Sequence, residues 1–223
     1  MSLPAWLDRR GWLIAASGAV AATAGDLGQL WVVNAARPSL HLAAPPPSLI
    51  IFATLAGALG IPLYGIGYFV RAQRARRDAP RLAALVMIAG AAFAVLGAVV
   101  HTATGVLIAY EVGGITHDLD PLQGILASGP LVLTLWGLAS AALIVAGTAE
   151  AALPQRHAAR CFSPLLLTVA ITLAAPLAGS PWRDFLAPAS VNIAHFAFFS
   201  VGVRGSRGGS AARDGRGAVW CLL

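Results

Sequence analysis

Six long apolar stretches, divided by short polar connections, constrain this chain more than any other feature. They cover residues 11–33, 49–70, 82–110, 126–149, 161–179 and a shorter last stretch, 187–203. A bilayer core about 30 Å thick is crossed by roughly 20 apolar residues in a helix, and hydrocarbon leaves no partner for a backbone group outside a helix or a closed barrel. The expected fold is therefore all-α: an integral membrane bundle of six transmembrane helices forming one domain over 1–203. The third stretch is longer than a span requires and is expected to tilt or project. Pro45–Pro47, Pro121, Pro181 and Pro188 punctuate the connections, and Pro62 is expected to kink the second helix. Such loops leave no room for a soluble domain.

Charge then sets the orientation. The chain is 58% hydrophobic and 11% charged, with fifteen arginines, no lysine and a net charge of +6. A basic balance invites a nucleic-acid reading. The arginines instead interrupt apolar runs singly or in short clusters, without a stripe of stacking aromatics, so no nucleic-acid partner is expected. Thirteen of the fifteen arginines lie in the N-terminus, the second and fourth connections and the tail; only Arg37 and Arg183 lie elsewhere. Positive charge accumulates on cytoplasmic loops, which places both termini in the cytoplasm and requires an even number of spans. Arg9-Arg10 followed by an apolar run and Ala22-Thr23-Ala24 imitates a cleavable export signal. Five further apolar stretches follow, and the segment is read as the first span. Cys161 and Cys221 both fall on the reducing side, where no disulfide is expected. Residues 204–223 read as a disordered basic cytoplasmic tail.

Ionisable side chains inside hydrocarbon cost roughly 3 kcal/mol each on insertion scales and mark functional sites by default. Three are found here. At 1.5 Å per residue, Asp26 lies about 8 Å below Trp31, His101 about 13 Å below Tyr110 and His195 about 12 Å below the start of the last stretch. Asp26 shares a helix face with Gly18 and Ala22, and His101 with Gly97 and Gly105, small-residue stripes that let helices approach closely. An outer-leaflet pocket containing Asp26, Gln29, His101, Thr104, Asn192 and His195 is expected. Trp136, mid-span, carries an N–H that wants a partner and lines or fills the same cavity. Tyr64 and Tyr68 read as interfacial anchors near the inner boundary. The connection 111–123 holds Glu111, Asp118, Asp120 and His117 and has Gly113-Gly114 as a hinge. Its spacing matches no metal motif, and neither a metal nor a cofactor is expected.

Gly25-Asp26-Leu27, the run 57–64 ending in Pro-Leu-Tyr, Gly97-Ala98-Val99-Val100-His101, and Pro188 followed by Asn192 together resemble a bacterial family of uncharacterised multi-pass integral membrane proteins. The resemblance covers residues 11–203. It implies a multi-pass bundle in the bacterial inner (cell) membrane, with Asp26, His101 and Asn192 as shared polar positions, and it lends no activity.

The residues themselves suggest an intramembrane acid/base enzyme of isomerase or cyclase type acting on an isoprenoid or other apolar lipid. Asp26, His101 and Glu111 are then the candidate catalytic groups, and Gln29, Thr104, Trp136, Asn192 and His195 the substrate-binding ones. The expected partners are membrane lipids and an apolar small-molecule substrate. A structural or assembly protein, a small proton-coupled transporter, and a haem protein ligated by His101 and His195 are the alternatives.

Overall fold

Each apolar stretch falls on a helix in the computed structural model, which describes residues 5–36, 40, 42–46, 48–113, 129–153 and 163–208. The helices are α1 (Ala5–Ala35), α2 (Ser48–Gly60), α3 (Tyr64–Ala75), α4 (Pro80–Gly113), α5 (Gly129–Ala152), α6 (Pro164–Ala174) and α7 (Trp182–Gly208). Among the described residues there is no strand. Pro62 does not end its helix: it lies in a 3-10 turn, Ile61–Leu63, that joins α2 to α3 in one continuous rod. A second 3-10 turn, Ala175–Ala178, extends α6.

Among the described residues four runs are long and apolar enough to cross a membrane: Ser48–Ala75, Pro80–Ala109, Pro130–Ala152 and Trp182–Arg204. The protein is therefore a helical membrane protein. At 31 residues α1 has the length, but Ser17, Thr23, Asp26, Gln29 and four glycines dilute its apolar content. α6 and its turn, Pro164–Ala178, are apolar but short. The last helix is longer than the sequence suggested, starting at Trp182 and running through Pro188 to Gly208.

In space the order is α6, α7, α1, the α2–α3 rod, α4, α5, with α1 against α2 and α7 and α5 along α4. Small residues permit the closest crossing. A Cβ on Gly25 would meet the Ala53 carbonyl at 2.7 Å, and one on Gly60 would meet the Gly18 carbonyl at 2.6 Å, so the α1 and α2 backbones touch. Among the described residues the ring of helices closes where α5 meets α6. There Ser163 Oγ donates to the Gly147 carbonyl at 3.5 Å, Arg71 pairs with buried Glu150 at 3.1 Å, and Arg74 pairs with Asp8. Among the described residues α5 packs far less against α7 than against α4.

Candidate functional site

A polar chain crosses four elements where α1, α3, α4 and α7 converge. Tyr64, the first residue of α3, donates its hydroxyl to Asn192 Oδ1 at 2.6 Å. Asn192 Nδ2 donates to Asp26 Oδ2 at 2.6 Å. The other oxygen of Asp26 lies 3.1 Å from His101 Nδ1. His101 Nε2 lies 3.1 Å from the Ala53 carbonyl, and Gln29 Nε2 donates to the His101 carbonyl at 3.2 Å. The His101 ring lies across the α2 backbone because residue 57 is glycine: any Cβ there would overlap the imidazole.

His101 Nε2 lies 3.1 Å from two groups of opposite kind, the Ala53 carbonyl, which accepts, and the Gln29 amide nitrogen, which donates, so its surroundings suit either tautomer of the ring. Nδ1 faces Asp26 Oδ1, the contact through which a proton can pass. Carboxylic acid with imidazole and carboxylate with imidazolium are both neutral as a pair, which keeps net charge out of the low-dielectric interior in either form.

This pair stands on the wall of a cavity of about 190 Å³ between α1, α4, α5 and α7. Its polar lining is Asp26, Gln29, His101, Thr104, Ser140 and Asn192. The remainder is apolar or aromatic, including Phe93, Leu143, Val191 and Trp136, the last half-exposed at the rim. Asp26 retains 18% side-chain exposure and His101 only 5%, so the carboxyl is the more open of the two.

Five of the sequence-derived pocket residues, Asp26, Gln29, His101, Thr104 and Asn192, line this cavity, as does Trp136. His195 does not. It is fully buried one turn beyond Asn192, with Nδ1 donating to the Val191 carbonyl at 2.7 Å and Nε2 held by the Tyr68 hydroxyl at 2.8 Å. Counting depth from residue 187 misplaced it, because the helix begins at Trp182 and puts His195 roughly 20 Å down. With both ring nitrogens engaged, His195 offers no open position to a haem iron. Its ring lies nearly parallel to those of Tyr64 and Phe93, with centroids at 4.6 and 5.1 Å.

Glu111 falls in the last turn of α4, and its side chain, like most of the 111–123 connection, lies outside the described residues. Among the described residues no three His, Cys, Asp or Glu gather to hold a metal ion. Sequence reasoning missed three members of the interior. Tyr64 and Tyr68 are completely buried and hydrogen-bonded across helices, not anchored at an interface. Glu150, also completely buried, pairs with Arg71, which charge counting alone had assigned to the cytoplasmic cluster.

The fold and site define a class: a polytopic α-helical membrane protein with a mostly apolar cavity inside its bundle that carries a cluster of polar side chains. No family model, curated protein or solved structure matches this chain. The resemblance to a bacterial membrane family thus gains no support beyond the shared helical, membrane-spanning character.

Proposed function

We propose that the chain crosses a bacterial inner membrane six times with both termini in the cytoplasm. In this reading its cavity is the active site of an intramembrane acid/base enzyme, of isomerase or cyclase type, acting on an isoprenoid or other apolar lipid. One observation carries it: a carboxyl and an imidazole, in contact at 3.1 Å, face an otherwise mostly apolar cavity. Asp26 in its acid form delivers a proton to a substrate carbon. The carboxylate, or His101 Nδ1, then takes a proton from the neighbouring carbon, so an isomerisation regenerates the acid with no co-reactant. Phe93 and Trp136 are the aromatic side chains of the lining, the kind of group that stabilises a cation formed on the way. Asn192, itself fixed by Tyr64, orients the carboxyl, while Gln29 and Thr104 complete the wall. The arginine-rich end, where Arg71 and Arg74 meet Glu150 and Asp8, supports the cytoplasmic assignment.

The same network also favours a second reading, a structural role. Both Asp26 oxygens are already paired, tying α1 to α4 and α7. Asp26→Asn and His101→Ala separate the two. An enzyme loses an identifiable lipid conversion in Asp26→Asn while that variant still folds; a structural network loses thermal stability in both variants with the host's lipid extract unchanged.

A further inference from the structure

We propose that the cavity's ligand is an uncharged single-chain lipid with one oxygen at its head, a hydroxyl or carbonyl, held by Thr104 and Ser140. Its tail passes sideways into the bilayer between α5 and α7. The inference rests on the enzyme reading only for what Asp26 and His101 then do to the ligand. Hydrogen bonding supplies the first argument. Thr23, Thr54, Thr102, Thr134 and Thr168 each donate to the carbonyl four residues back. Among the described residues the hydroxyls of Thr104 and Ser140 make no such bond, and both line the cavity, one on α4 and one on α5. Both hydroxyls are therefore open to bond with what fills it.

Charge supplies the second. Among the described residues no arginine lines the cavity and Asp26 does, so a phosphate or diphosphate head meets an acidic group there and no cation. Size and shape supply the third. Drug-sized ligands fill roughly 300–1,000 Å³, whereas this cavity holds about 190 Å³, enough for a head and the first part of a chain. The rest has an exit. Trp136 on α5 and Pro188 on α7, helices that pack little against each other among the described residues, both line the cavity and are both exposed.

The test uses the full chain in phosphatidylcholine nanodiscs with tritiated farnesol as probe. Farnesal should compete as well as farnesol, and farnesyl diphosphate and the hydrocarbon farnesane at least tenfold worse. Geranylgeraniol should compete no worse than farnesol, because a longer tail only extends into lipid. Thr104→Val and Ser140→Ala should each weaken farnesol roughly fivefold, the worth of one hydrogen bond, in protein that melts as the wild type does. Equal competition by farnesane, tighter binding of the diphosphate, rejection of the longer chain, unaltered binding by both variants, or no probe binding to folded protein would each overturn the proposal. Turnover is read separately. Binding as described without any product removes the enzyme reading alone, and product formation insensitive to both variants removes this one alone.

Discussion

Gly57→Ala tests most directly how His101 is held. The new Cβ would overlap the ring at Nε2, Cδ2 and Cε1 together, where ordinary contact begins at 3.4 Å. The ring must slide by roughly 1 Å, and a forced shift of this kind in a packed interior costs about 1–3 kcal/mol. Sliding also weakens the contacts to Asp26 and Ala53, each worth roughly 0.6 kcal/mol in a membrane interior. Against this, alanine gains about 1 kcal/mol over glycine in a helix. The balance is a net destabilisation of about 1–3 kcal/mol. Gly137→Ala on α5 is the control, because nothing lies within 4 Å of its Cβ and only the helix gain remains. Reversible unfolding in mixed micelles titrated with dodecyl sulfate measures both. Adding His101→Ala to Gly57→Ala should restore more than 1 kcal/mol relative to additivity, since the ring no longer obstructs the methyl group. If Gly57→Ala proves as stable as Gly137→Ala, the imidazole does not lie across α2 and the geometry of the Asp26–His101 pair is wrong.

Three further outcomes follow from the same contacts. A double-mutant cycle with Tyr64→Phe and Asn192→Leu should give a coupling of roughly 0.6–1.7 kcal/mol, the range of interhelical hydrogen bonds in membranes; zero coupling would dissociate Tyr64 from the site. Arg71→Met should destabilise by about 3 kcal/mol because it strips an ion-pair partner from buried Glu150, and Arg71→Met with Glu150→Met should recover part of that loss in the same unfolding assay. With Cys161 and Cys221 replaced by Ser, an impermeant maleimide should label Ser180→Cys, exposed before α7, from outside intact cells; labelling only after lysis would invert the orientation.

The helices were legible because hydrocarbon enforces one solution for the backbone, and a run of apolar residues announces it. Asp26, His101 and Asn192 were legible for the related reason that polar groups are costly there and helical spacing with small residues showed which way they face. Tyrosine carries no such mark. Its ring is at home at a membrane interface as well as in a core, so only tertiary packing reveals that Tyr64 and Tyr68 are buried partners of Asn192 and His195. Depth counting failed for His195 because it depends on where a helix starts, and Pro188 hid a start at Trp182. Ser140 and Gly57 gave no signal at all: a serine in an apolar helix usually bonds its own backbone, and a glycine does not tell which ring will lie against it.

The uneven attachment of α5 has a mechanical meaning. One end is fastened, by Arg71 to Glu150 and by Ser163 and Leu165 against Gly147. Trp136 stands fourteen residues from Glu150, roughly 21 Å along the axis at 1.5 Å per residue. Because α5 also packs along α4, it can swing only across the face of that neighbour: a swing of about 5° about the ionic pair would move Trp136 by roughly 2 Å, the order of a methyl radius. The spacing between Trp136 and Pro188 is then set by an angle between helices, with the salt bridge at the fixed end.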